Sequence, residues 1–162
     1  MKHILLVCAG NTCRSPMAEG ILRAAIANDV ILQGHVEVSS AGVYAISKSA
    51  AAANAIESLA EIGVDIGGHQ AMRVTPALLE EADLVLALDY SVYDALRELY
   101  PWQRDKIYML LAYATNQEAL PANEIFEVRD PYGGDRNLYG HTRDVLRGAM
   151  DNLVRRLRIE WK

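Results

Sequence analysis

Two cysteines, one phenylalanine and five prolines stand among 162 residues. Cys8 and Cys13 are too few and too close to form the disulfide framework of a small secreted protein. His3, His35, His69 and His141 are scattered, so with those cysteines they match no common zinc spacing, and no metal is expected. No stretch approaches the roughly 18 uncharged apolar residues of a membrane span. The apolar opening run is too short for a secretory signal followed by a small-residue cleavage site. Lys and Arg number 16 against 21 Asp and Glu, a net charge of −5. That balance argues against a nucleic-acid partner, which needs clustered basic residues. Acidic residues such as Glu80, Glu81, Glu118, Glu124 and Glu127 read as a solvated surface. One local positive site could still hold an anion. Neither a Gly-x-Gly-x-x-Gly turn nor a Gly-Lys-Ser/Thr ending occurs after the first apolar run. A dinucleotide or NTP site there has no support, and no cofactor is expected. These absences together leave a reducing, cytoplasmic setting as the simplest expectation.

Apolar residues make up 51% of the chain, enough for a full core. The length suits one domain over residues 1–162. Residues 3–8 form a continuous apolar run with β-branched members, a buried strand. Residues 9–15 are small and polar, a loop. Ser15-Pro16 offers a cap followed by proline in the first helical position, and the apolar spacing from Met17 to Ile26 predicts a helix over 16–28. A short strand is expected at 36–39 and an Ala-rich helix over 49–62, stopped by Gly63. Thr75-Pro76 repeats the cap-and-proline signal for a helix to about residue 82. Residues 83–88 read as a strand, 91–100 as a helix ended by Pro101, and 106–111 as another strand. Residues 112–136 look loop-rich, and residues 112–127 either shape substrate access or are a passive insertion. Tyr139 to Leu157 carries the pattern of a long amphipathic helix. Alternating strands and helices imply an α/β fold: a parallel sheet with helices on both faces, and ligands bound beyond the strand ends.

The loop after the first strand is Cys8-Ala9-Gly10-Asn11-Thr12-Cys13-Arg14-Ser15. It ends at a helix N-terminus, where free N–H groups and the macrodipole favour an anion. Ala9 and Gly10 let the backbone wrap closely around a phosphate. Asn11 tolerates the left-handed conformation of such a wrap. Arg14 adds a fork of donors matched to two phosphate oxygens. Cys8 would point into this cradle, whose donors favour the reactive thiolate. A lone cysteine at a strand end is more often a small buried apolar residue; here the spacing of Cys, five residues, Arg and Ser favours a nucleophile. Asp130-Pro131-Tyr132-Gly133-Gly134 supplies a carboxyl group for a leaving-group proton, although Asp-Pro and Gly-Gly also simply make turns.

Together these residues resemble the low-molecular-weight protein tyrosine phosphatases. The match runs through Cys8 to Pro16, Ser39-Ser40-Ala41-Gly42, His69, Asp83 to Asp89 and Asp130-Pro131-Tyr132, in order and over nearly the whole chain. The resemblance implies a four-stranded parallel sheet with the phosphate loop after the first strand, and a metal-free double displacement on phosphorylated protein substrates. It implies Cys8 as nucleophile, Arg14 as phosphate binder, and Asp130 as acid and then base. It makes Ala9, Gly10, Asn11, Thr12, Cys13 and Ser15 the phosphate loop and Tyr132 an aromatic wall of the cleft, with Tyr44 opposite. Asn11, Ser15, Ser40 and His69 are implied to support the loop, although Ser15 could be a helix cap, Ser40 a turn residue and His69 an ordinary packed histidine. Cys13 matches a second loop cysteine, implied to form a reversible disulfide with Cys8 on oxidation.

Thr12 departs from the aliphatic residue of most tyrosine-specific members. With Pro16 to Glu19 and Asp130 to Gly134 it resembles the protein arginine phosphatases of the same family. A short side chain with a hydroxyl leaves room for a planar guanidinium, whereas an aliphatic wall suits a phenyl ring. Asp89 resembles the tyrosine-specific branch. Phosphoarginine is therefore favoured modestly over phosphotyrosine. Arsenate reductases share the loop but need further cysteines. A non-catalytic phosphate-binding module would need neither Cys8 nor Asp130.

Overall fold

The computed structural model describes residues 1–162. In chain order it contains β1 (Lys2–Cys8), α1 (Arg14–Ala27), β2 (Val36–Gly42), α2 (Ala53–Ala60), α3 (Pro76–Glu81), β3 (Leu84–Ala87), α4 (Tyr90–Leu99), β4 (Ile107–Met109), α5 (Leu110–Ala114) and α6 (Arg136–Glu160). The four strands form one sheet in the order β2-β1-β3-β4, and every pairing is parallel. This is the expected α/β architecture.

Strand alternation decides which face each side chain serves. Ile4, Leu6 and Cys8 join Leu84 and Leu86 beneath residues of α1, α2, α5 and α6. Leu5, Val7, Val85 and Ile107 pack on the other face against residues of α3 and α4. Both faces of β1 are thus covered, which is why its sequence is apolar without alternation. Full burial of side chains such as Leu6, Met17, Leu22 and Leu86 contributes about 1.5–3 kcal/mol each. The strand and helix that flank the loop are therefore anchored in the densest part of the core. No helix is long and apolar enough to cross a membrane.

Several boundaries differ from the sequence expectation. Helix α1 starts at Arg14 with Cys13 in the cap position, so Ser15 is not a cap and Pro16 sits third, still within the turn whose N–H groups need no partner. Strand β2 continues through Gly42. The Ala-rich helix begins only at Ala53, because Ala50 pairs with Gln70 and the Ala52 amide donates to the Thr12 carbonyl at 2.8 Å. Tertiary bonds there override alanine propensity. Strand β4 stops at Met109 and residues 110–114 turn into α5, which occupies part of the segment read as loop. A short 3-10 turn at Glu124–Phe126 occupies more of it. Asp89 and Asp135 cap α4 and α6, starting both helices earlier than their apolar spacing implied.

Candidate active site

Cys8 is the last residue of β1 and lies beside Gly42 of β2 in the sheet register. The chain then turns through residues 9–13 into α1. The first bond of that helix is Met17 N–H to Cys13 O at 3.1 Å. The amides of Arg14 and Ser15 thus stand at the positive end of the helix with no intrahelical partner.

The sulfur of Cys8 has two polar neighbours. The Asn11 amide donates to it at 3.2 Å, and the Ser15 hydroxyl lies 2.9 Å away. Asn11 is fully buried and holds φ at 57°, the left-handed conformation anticipated for the wrap. Its strain is held by a complete set of bonds. Nδ2 donates to Ser15 Oγ at 2.8 Å and to Ser40 Oγ at 2.9 Å, while Oδ1 accepts from the Met72 amide at 2.9 Å. The Asn11 carbonyl lies 2.8 Å from His69 Nε2. A carbonyl can only accept, which places the ring proton on Nε2. Ser15, Ser40 and His69 are thus brought to Asn11, as the resemblance implied.

Arg14 is 4% exposed. Its Nη1 donates to Asp89 Oδ2 at 2.7 Å and to the Val128 carbonyl at 3.1 Å. Nη2 lies 3.6 Å from Asp130 Oδ2. With Nη1 committed, Nε and Nη2 are the donors left for an anion. Burial works against the Arg14 charge, but the Asp89 bond and the nearby Cys8 and Asp130 outweigh it and hold the guanidinium above its ordinary value. Burial also opposes the Asp89 charge; the Val92 amide and Arg14 outweigh it and hold that carboxyl below its ordinary value. Asp89 as the partner of Arg14 is a contact that sequence reasoning missed. The available signal was an acid ending an apolar strand and starting a helix, where one oxygen caps and the other is free to reach inward.

A cavity of about 190 Å³ opens above the sulfur, lined by Cys8, Gly10, Asn11, Thr12, Cys13, Arg14, Asp130 and Tyr132. Ala9 and Ser15, expected to touch substrate, lie outside this lining: the Ala9 carbonyl accepts from the Tyr44 amide at 2.9 Å, and Ser15 is buried beneath the sulfur. Tyr132 is 77% exposed at the rim, and the Asp130 side chain accepts from the Tyr132 amide at 3.0 Å. Tyr44 is also exposed but does not line the cavity. Cys13 lies against the Tyr139 hydroxyl at 3.2 Å, and both thiols are free. A larger cavity of about 470 Å³ involves Glu19, Ser40 and His69 behind the loop. It holds neither thiol nor Arg14, so the smaller one is the candidate reaction site.

A thiol, a guanidinium and an acid on one pocket, at the carboxyl edge of a parallel sheet, define a phosphate-handling α/β protein. The model of the family described as low molecular weight phosphotyrosine protein phosphatase matches residues 3–162. The chain belongs to that family and is a protein phosphatase, a hydrolase. It is similar to the protein-arginine-phosphatase of Bacillus subtilis strain 168, at 34% identity over 96% of each chain. It is similar also to a probable low molecular weight protein-tyrosine-phosphatase, EpsP, of Ralstonia nicotianae, at 31% identity over 98% of this chain and 97% of that one. The structure of the YwlE arginine phosphatase from Geobacillus stearothermophilus superposes with a TM-score of 0.87 at 32% identity, covering 99% of this chain and 95% of that one.

Proposed function

We propose that this phosphatase acts on phosphorylated protein side chains through a Cys8–phosphate intermediate, with phosphoarginine as its preferred substrate. Cys8 attacks the phosphorus, and the bond from phosphorus to the leaving group breaks. Asp130 gives that group its proton. Water then attacks the phosphorus, Asp130 takes a proton back, and the sulfur–phosphorus bond breaks to release inorganic phosphate. Arg14 and the amides of the loop and helix start hold the oxygens throughout, and fixed donors of this kind are usually the largest single source of rate. A nucleophilic thiol must stay reduced, which favours a cytoplasmic setting.

The observation that carries the substrate preference is Thr12 on the wall of the cavity above the sulfur. A hydroxyl there can face a guanidinium, whereas a phenyl ring gains more from an aliphatic wall. The relatives include named arginine and tyrosine phosphatases. Phosphotyrosine is the second reading, favoured by Asp89, which resembles the tyrosine-specific branch at that position.

The test is kcat/KM on matched phosphoarginine and phosphotyrosine peptides for wild type, Thr12→Ile and Cys8→Ser. Cys8→Ser abolishes turnover of both. Wild type prefers phosphoarginine, and Thr12→Ile shifts the ratio toward phosphotyrosine by about tenfold or more, the scale of one differential contact in the transition state. A wild type that prefers phosphotyrosine ends the arginine reading.

A further inference from the structure

We propose that Asn54, on α2 and outside the cavity above the sulfur, is a positioning residue that holds the Asp130 turn against the loop leaving β1, so that the acid reaches the leaving group. The inference rests on Asp130 as the acid.

Residues 129–134 run between two fixed points. On one side Val128 is buried, its amide donates to the Leu88 carbonyl at 2.8 Å, and its carbonyl accepts from Arg14. On the other side Asp135 caps α6. Between them the turn bonds to itself. The Tyr132 amide donates to Asp130 Oδ1 at 3.0 Å, and the Gly134 amide donates to the Pro131 carbonyl at 2.8 Å. These bonds close residues 130–134 into a small unit without fixing where that unit stands. Its side chains add little anchorage: Tyr132 is exposed, Gly133 and Gly134 carry none, and only Pro131 is buried. Asp130 Oδ2 is 3.6 Å from Arg14 Nη2, too far for a hydrogen bond.

The hydrogen bond that this unit takes from another element comes from Asn54, whose Nδ2 donates to the Gly134 carbonyl at 3.3 Å. Asn54 stands in the first turn of α2, which begins at Ala53. Asparagine near a helix start commonly serves the local backbone as a cap. Here Ala52 holds the cap position and α2 has no side-chain cap, while the Asn54 amide is turned outward to the acid turn. Two residues earlier, the Ala52 amide donates to the Thr12 carbonyl at 2.8 Å. The start of α2 thus holds both the loop that bears the sulfur and the turn that bears the acid. Ala55 and Leu59 bury the same helix in the core, so this common base is rigid. Arg136 also joins the start of α6 to Glu57 and Glu61 on α2, at 3.4 and 3.1 Å. Those side chains are half or more exposed, and such pairs contribute little. Without the Asn54 bond the turn swings about Val128 and Asp135, and the acid spends less time within reach of the leaving oxygen.

The experiment uses the full chain as wild type, Asn54→Ala, Asp130→Asn and the double variant. It reads kcat/KM on phenyl phosphate and on p-nitrophenyl phosphate, the competitive inhibition constant of inorganic phosphate, and thermal unfolding. Alanine suits a helix better than asparagine, so the fold tolerates the change. Phenolate is the poorer leaving group and depends more on the proton. Asn54→Ala is expected to lose about tenfold on phenyl phosphate, part of the roughly 10²–10⁴-fold that a positioned acid supplies, and only about threefold on p-nitrophenyl phosphate. Phosphate inhibition stays within about twofold of wild type, since Arg14 and the loop amides are untouched. In the Asp130→Asn background, Asn54→Ala changes either rate by no more than about twofold, because the group it positions is gone. A phenyl phosphate rate within about twofold of wild type overturns the inference. So do equal losses on the two substrates, or a loss that persists in full in Asp130→Asn. A parallel fall in both rates, phosphate affinity and melting temperature means that Asn54 only holds the scaffold, and overturns it too. An Asp130→Asn variant with wild-type rates would instead remove the acid assignment on which the inference stands.

Discussion

Arg14 is a charge kept almost out of water, and such a charge needs a partner. Asp89 provides it at 2.7 Å with its side chain only 15% exposed. The arrangement has two consequences. The guanidinium is held flat and in place before any phosphate arrives, so little order is lost on binding. The pairing also ties stability to pH. The Asp89 carboxyl is held below its ordinary value: burial opposes its charge, but the Val92 amide and Arg14 outweigh burial. A group depressed in the folded state stabilises the protein above its unfolded pKa of about 3.9, and that contribution is lost as pH falls through the lower folded value. Asp89→Asn is therefore expected to be less stable than wild type at neutral pH and to lower kcat/KM by about tenfold or more through a looser Arg14. The stability gap closes as the pH drops below about 4. Urea unfolding at neutral and acid pH checks this, and a gap that stays constant down to low pH refutes the coupling.

At the scale of elements, the site depends on how closely β2 approaches the loop that leaves β1. Gly42 ends β2, and a Cβ there would stand 2.6 Å from the Ala9 carbonyl and 2.9 Å from the Asn11 amide. Both are backbone atoms of that loop and cannot swing aside. Gly42→Ala is expected to displace the loop and cost about 100-fold in kcat/KM, as an ångström of misplacement can. The accompanying stability loss is about 1–3 kcal/mol from overpacking. Near wild-type kinetics on p-nitrophenyl phosphate would show that the loop adapts. Such dependencies explain what was legible in the sequence and what was not. β1 and β3 announced themselves because strands covered on both faces must be apolar throughout. The loop was legible because Cys8, Arg14 and the small residues between them leave few other uses. The Ala-rich stretch at 49–52 misled, since its backbone is claimed by Thr12 and Gln70, partners far away in sequence. Asp89, Asn54 and Gly42 act through contacts between elements, and a single chain written in order does not display them. Asp135 was a local signal, a cap whose side chain accepts from the Leu138 amide at 2.9 Å, masked by the later start of the apolar pattern.

At the scale of the whole molecule, the loop that leaves β1 is where distant parts of the fold meet. Cys8 comes from β1, Ser15 and Arg14 from α1, Ser40 from β2, and Asp89 from the start of α4. The Val128 carbonyl and Asp130 come from the segment before α6. An anion gripped there bridges elements that otherwise meet mainly through apolar packing. Binding should therefore stabilise the fold as a unit, since a ligand that binds only the folded state shifts unfolding by mass action. At inorganic phosphate of about 100 times its dissociation constant the gain is about 2.7 kcal/mol. For a chain of this length each kcal/mol moves the melting temperature by about 2–4 °C, so a rise of about 5–11 °C is expected. Arg14→Ala removes the main donor and strands Asp89 without its partner, so it melts lower than wild type and gains almost nothing from phosphate. Cys8→Ser keeps the donors and retains most of the rise. Calorimetry of the three proteins with and without phosphate separates the cases. An equal rise in Arg14→Ala would place the anion elsewhere, and a rise lost in Cys8→Ser would mean that the sulfur, rather than the surrounding donors, holds it.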